Sequence, residues 1–428
     1  MKKSCILLLL LIIILIGCTK QNYENIEANS FNEIPKEETN DLNQLPPCPS
    51  ESATNCDRSK TGFNSNENKY SEVIGNNCEG FGIVNFTYSP MKLEDIGFIE
   101  PLGLMLGSHV TPIDHQYYYQ KNWNPQPTLA DLKEVFAPAD GMITSIQAMP
   151  TFFSPVKDNA ELEDYRIILA YSCDFYTVYI HIFKLSDKIK QELGSLKPGE
   201  NKNVKIKVKA GELIGKANAF DFSVHNEDVI LGGFIVPEHY KSEPWKIHTV
   251  DPFDYFVEPL KTQLLEKNLR QAEPKGGKID YDVDGKLIGN WFMEETNGYK
   301  GVKQPEYWGT HLSISPDGLD PQHIIISLGD FKGKPMQFGV KGNSPNPKDV
   351  DISTDLVKYS LTYYSYYTLN DERWDGTYYS KGLKAKNNEE VMGVVLLQLI
   401  SDRKLKVEIF PDKTDAMSFT EKAIIYER

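Results

Sequence analysis

Two imidazoles and a carboxylate fall within seven residues at His109, Asp114 and His115, in the stretch GSHVTPIDH that runs from Gly107 to His115. Pro112 stiffens the backbone between them. Convergent nitrogen and oxygen donors of this kind are what a divalent metal or a proton relay needs. Short polar side chains beside a proline also cap ordinary turns, so the cluster gains meaning only from partners elsewhere in the chain. Downstream, His181 lies in the run FYTVYIHIF (Phe175–Phe183), and AFDFSVH (Ala219–His225) sets Asp221, Ser223 and His225 at alternate positions. On an extended strand those three share a face, successive members about 6.6 Å apart. Either Asp221 or His225 can then face a centre built around His109. His239 and His248 lie outside this pattern and read as structural residues.

The elements that must position these side chains read as mostly antiparallel β-structure. FGIVNFTYSP (Phe81–Pro90) alternates as a strand, and IGFIEPLGLML (Ile96–Leu106) leads into the histidine cluster. VFAPADGMITSIQAM (Val135–Met149) reads as strand, tight turn at Asp140 and Gly141, strand. YRIILAYS (Tyr165–Ser172) and FYTVYIHIF form a hairpin around Cys173 and Asp174, and LSDKIKQEL (Leu185–Leu193) has helical spacing with Ser186 as its cap. KIKVKAGELIGKA (Lys205–Ala217) supplies another strand and a glycine turn, and HTVDPFDYF (His248–Phe256) closes the region.

VFAPADGMITSI, YTVYIHI, VKAGELIG, AFDFSV and TVDPFDYF occur in the order and rough spacing of the duplicated hybrid motif fold of lysostaphin-type zinc metallopeptidases, which this region resembles over about Phe98 to Phe256. The resemblance implies a β-sandwich, a zinc ion and cleavage of peptide crosslinks in peptidoglycan. The family's first ligand pair is His, three residues, Asp; here His109 and Asp114 are separated by four, so one extra residue has to be absorbed. His181 matches the family's catalytic histidine. The family's HxH strand aligns on Ala219 and Asp221, which removes one imidazole and leaves a carboxylate to replace a ligand nitrogen. On this frame His109, Asp114 and Asp221 or His225 are the metal ligands and His181 the general base. His115, which alternation sets beside His109, is the substitute for the missing catalytic imidazole. Zinc accepts such a set and would acidify a bound water. The other reading is a catalytically degenerate member that binds cell-wall material or a partner hydrolase.

Lys2 and Lys3 precede an unbroken apolar run from Cys5 to Ile16, too short for a permanent membrane helix but suited to a secretory signal. LIGC (Leu15–Cys18) resembles the lipobox of bacterial lipoproteins, which implies cleavage after residue 17, acylation of Cys18 and an extracytoplasmic, membrane-anchored protein. Residues 18–70 are poor in apolar side chains and read as a disordered tether. The net charge of −14 argues against a nucleic-acid partner, because neutralising phosphates takes a basic face. Four cysteines remain after Cys18, and an oxidising compartment permits three pairings, of which Cys48 with Cys56 and Cys78 with Cys173 is favoured.

Residues 71–257 thus form the peptidase-like domain, 258–275 a helical linker over EPLKTQLLEKNLRQA, and 276–428 a second all-β domain. In that last part eight or nine short strands with Gly, Asp and Asn turns suggest an up-and-down barrel or a sandwich. GNW (Gly289–Trp291) resembles the opening of lipocalin-like barrels, which implies a third role as a carrier of small ligands. Tyr363, Tyr364, Tyr366 and Tyr367 read as strand packing, with a glycan or ligand surface as the rarer use of such residues.

Overall fold

The computed structural model describes residues 73–74 and 77–428, apart from 152–153, 157–158, 160, 304 and 416. The signal segment, the lipobox cysteine Cys18, the tether and the Cys48–Cys56 pairing lie outside the described residues. No helix among those described is long and apolar enough to cross a membrane.

The first part contains β1 (Ile96–Glu100), β2 (Gln116–Gln120), β3 (Lys133–Phe136), β4 (Gly141–Ala148), β5 (Tyr165–Ala170), β6 (Phe175–Ile182) and β7 (Lys184–Leu185). Helix α1 (Asp187–Leu193) follows, capped by Ser186 as its sequence predicts, and then β8 (Asn201–Val208), β9 (Leu213–Ala217), β10 (Ala219–Asn226) and β11 (Thr249–Val250). One large sheet runs β1-β2-β10-β6-β5-β4-β8, with β11 paired to β10; β3, β9 and β7 form a second, smaller sheet. All their pairings are antiparallel. Phe86, Val135, Ile143, Ile167, Tyr179, Ile214, Phe220 and Phe222 pack between the sheets with essentially no exposure. Burying such side chains contributes roughly 1.5–3 kcal/mol each. The disulfide Cys78–Cys173 ties the entering chain to the β5–β6 turn.

Two expected elements differ. Phe81–Pro90 is not a strand: it makes one isolated bridge, Phe86 with Phe256, while Phe81 and Ile83 stand exposed at 65% and 59%. Gly80 and Gly82 carry φ of +75° and +98°, which breaks the extended run before it can pair. The linker helix shrinks to α2 (Leu260–Leu265), because beyond it the backbone turns to bond the edge strand, with Ile99 N donating to Lys267 O and Leu269 N to Ile99 O.

The second part comprises β12 (Gly289–Met293), β13 (His311–Pro316), β14 (Ile324–Leu328), β15 (Met336–Val340), β16 (Val357–Tyr367), β17 (Lys384–Ser401), β18 (Lys404–Pro411) and β19 (Ile424–Glu427). Each pairs with the next, and β19 returns to β12, closing a barrel. Alternate residues of every strand, including Trp291, Ile314, Ile326, Phe338, Tyr359, Leu397 and Val407, fill it as one core. Trp291 is wholly buried under the Arg428 guanidinium, 4.0 Å from its ring centre.

The other face of β12–β14 is buried too, although it is polar: Asn290, Ser313, Ser315 and Ser327 are hidden. They are covered by the first part of the chain, where Tyr240 OH meets Asn290 Nδ2 at 3.0 Å and Gly107 O accepts from Gln337 Nε2 at 3.0 Å. Leu102, Val110, Tyr240, Phe292, Tyr299 and Trp308 form an apolar core across the same junction. The barrel is therefore packed over the loop that carries His109.

Candidate functional site

The loop from Pro101 to His115 is pinned at both ends before its side chains are placed. Gly103 N donates to Ile113 O and Ile113 N to Leu104 O, folding the loop on itself. Gly103, at φ +88°, lies so close to Lys278 O that a Cβ there would collide with it. β2 then carries Tyr117 opposite Asp221 on β10, and β10 carries Asp221 opposite Ile180 on β6. The three neighbouring strands thereby bring residues from distant parts of the sequence to one face.

His181 reaches that face by a bulge. The register of β6 against β5 goes from Tyr179 opposite Ile167 to Ile182 opposite Tyr165, and His181 takes φ +68°, the left-handed region that side chains rarely adopt. The turned backbone aims its ring between two carboxylates. Nδ1 is 3.0 Å from Asp164 Oδ2 and Nε2 is 3.9 Å from Asp221 Oδ2.

His115 bridges likewise, with Nδ1 3.1 Å from Asp114 Oδ1 and Nε2 3.5 Å from Asp221 Oδ2. Asp114 Oδ2 in turn faces the Lys246 ammonium at 3.4 Å, and both side chains are almost wholly buried. The groups form one alternating chain of bases and acids, Lys246, Asp114, His115, Asp221, His181, Asp164. Its three carboxylates are matched by one ammonium and two imidazoles able to carry protons. With both imidazoles protonated the array would balance its own charge, which is how carboxylates persist in a low-dielectric interior.

The electrostatics follow from burial and these neighbours. Burial pushes the Asp114 carboxyl up, but Lys246 and then His115 outweigh it and hold it well below the ordinary carboxylate range. Burial raises Asp221. For His181 burial acts downward, yet Asp164 and Asp221 carry it above the usual imidazole value, toward the charged form. His109 has no such carboxylate in contact; burial, His115 and Lys246 depress it to about 3. Its ring meets that of His115 edge-on at 5.5 Å between centres.

His225 shares the face of Asp221 but turns elsewhere. Its Nε2 is 2.7 Å from Ser223 Oγ, its Nδ1 3.1 Å from Trp245 O, and its ring stacks on Tyr176 at 4.9 Å. Burial lowers it to about 4, so it is a neutral core residue. His248 bonds Val229 O and His239 packs against Phe292, both away from the cluster.

The resemblance implies zinc, and the donor set can be tested against that ion. In favour, Asp114 Oδ2, His181 Nε2 and Asp221 Oδ1 are buried without a hydrogen-bond partner among the described residues. Against, both Asp114 oxygens already face His115 and Lys246, His225 is held by Ser223 and Trp245, and a buried ammonium stands beside the carboxylate. No group of three or more His, Cys, Asp or Glu among the described residues is arranged to hold a metal ion. The residues present do not fit a zinc centre.

Sequence reasoning missed Asp164 and Lys246. Asp164 ends the acidic run ELED just before β5, a position with no motif. Lys246 sits in PWKIH within a short 3-10 turn, where a lysine between apolar residues signals nothing by itself.

No family model matches the chain, and no curated protein does. Among solved structures, a chain from the structure of the SpoIIQ-SpoIIIAH pore forming complex is similar at 12% identity and a TM-score of 0.25, over 42% of this chain and 96% of that one. A likeness this loose defines neither family nor function.

Proposed function

We propose that the protein is a non-hydrolytic binding protein of the cell envelope, held to a membrane through acylated Cys18. In this reading a lysostaphin-type scaffold has exchanged metal chemistry for a self-neutralised chain of acids and bases, and serves to bind peptidoglycan or a partner hydrolase. The observation that carries it is the Lys246 ammonium, 3.4 Å from Asp114 Oδ2. A resident cation on the carboxylate that the family uses as a ligand leaves a divalent ion both repelled and short of donors. The barrel packed over the same loop, through Gln337 on Gly107 O, fits a covered pocket better than an open cleft. The carrier role loses support because side chains fill the barrel interior.

Equilibrium dialysis against zinc followed by metal analysis, run beside digestion and co-sedimentation of purified peptidoglycan, tests this reading. The expected result is zinc far below one equivalent, no soluble wall fragments and protein retained in the wall pellet. Near-unit zinc that disappears in His109→Ala, together with release of wall peptides, overturns it in favour of a zinc endopeptidase.

A further inference from the structure

The large sheet ends at β8, and no strand pairs with its outer edge among the described residues. From Asn203 onward its residues alternate: Val204, Ile206 and Val208 are buried, while Asn203, Lys205 and Lys207 are exposed. Between Lys184 and Lys216 the chain carries nine lysines and four acidic residues, in a protein whose net charge is −14. Lys188, Lys190 and Lys209 are paired with carboxylates and Lys202 Nζ donates to Leu193 O at 2.6 Å, but Lys184, Lys197 and Lys205 have no carboxylate within ion-pair distance among the described residues. Lysine on an edge strand also discourages edge-to-edge aggregation, but that role explains neither the lysines flanking the strand nor what stands beside it.

Residues 79–83 run past this edge. Glu79 approaches Lys207 at 3.9 Å, Gly80 O accepts from Cys173 N, and the next residues include Phe81 and Ile83, the exposed apolar pair of the expected but absent strand. Cationic side chains beside exposed aromatic and aliphatic ones match the two layers of an anionic bilayer surface, headgroup phosphates outside and acyl chains beneath.

We infer that this face, made by Lys205 and Lys207 with Phe81 and Ile83, docks the folded part on an anionic lipid surface. The protein then lies against its membrane instead of standing off on a leash. The inference concerns the far edge of the sheet and does not depend on what the histidine pocket does.

Residues 19–428, which keep every described residue and lack Cys18, are floated with vesicles of phosphatidylglycerol or of phosphatidylcholine. Binding to the phosphatidylglycerol vesicles that weakens with salt is expected. Since each lysine near such a surface is worth about fivefold in affinity, Lys205→Glu with Lys207→Glu should weaken it by roughly twenty-fivefold or more. Phe81→Ser with Ile83→Ser should lower affinity without changing the salt dependence, while Lys348→Glu with Lys381→Glu on the barrel should leave it unaltered. Unchanged circular dichroism shows that each variant is folded. Absence of vesicle binding, equal binding to both lipids, or undiminished binding by the double lysine variant overturns the inference. So does capture of soluble polyphosphate without capture of vesicles, which assigns the lysines to an anionic polymer.

Discussion

Lys246 Nζ lies 3.4 Å from Asp114 Oδ2, with 2% and 4% of the two side chains exposed. The lysine comes from the 3-10 turn before β11 and the aspartate from the loop before β2, and the lysine's other side rests on the Tyr299 ring at 5.1 Å. One ammonium thus links the histidine cluster to the connection between β12 and β13 of the barrel.

Removing that ammonium leaves a buried carboxylate without its counter-charge. Lys246→Met should cost about 3–5 kcal/mol, the range for breaking a buried pair on one side. Asp114→Asn in the same background should recover part of the loss. Urea unfolding of the two single variants and the double variant measures the coupling, and additive costs would show that the pair is not an energetic unit.

Arg428 closes the barrel from outside. It stacks on Trp291 and donates to Ile288 O at 2.5 Å and Val283 O at 3.0 Å. Arg428→Ala should cost about 3 kcal/mol through the lost stacking and charged hydrogen bonds. Arg428→Lys should restore only part of it, since an ammonium lacks the planar fork. Melting followed by near-ultraviolet circular dichroism of the tryptophans reports both.

The Cys78–Cys173 disulfide joins residues 95 apart in sequence. Constraining a loop of that length in the unfolded chain stabilises by about 4 kcal/mol. Replacing both cysteines by serine should lower the denaturant midpoint accordingly, and reductant should shift the parent protein but not the variant.

His311 on β13 is buried, donates from Nε2 to Tyr299 O at 3.0 Å and is depressed to about 3 from an ordinary 6.5 by burial. The unfolded chain therefore takes up a proton first as pH falls. The contribution is intact above pH 6.5 and lost progressively down to about 3, at about 1.4 kcal/mol per pH unit within that window. His311→Gln, which can still donate to the carbonyl, should flatten stability against pH between 6 and 4. Parallel curves for the two proteins would refute the assignment.

Legibility in the sequence followed locality. The β5–β6 hairpin, the Ser186 cap, the barrel strands and the Cys78–Cys173 pairing rest on patterns a few residues long or on compartment chemistry, and each is present. His109, Asp114, His115, His181 and Asp221 lie together, a grouping that the resemblance implied and that spacing alone did not, while His225 turns to Ser223 although it shares the face of Asp221. Phe81–Pro90 has the alternation of a strand without a partner, and only the sheet decides whether one exists. The lysine edge escaped notice because whole-chain charge averages over a strand whose cations stand two residues apart.

The sequence by itself determined the all-β character and which side chains share a strand face, because these depend on residue type and on a side-chain period of two. Only the tertiary structure decided that Lys246 and Asp164 stand beside Asp114, His115, Asp221 and His181, and that the barrel covers the loop. Those outcomes depend on which distant surfaces come to rest against each other, and no spacing along the chain encodes that.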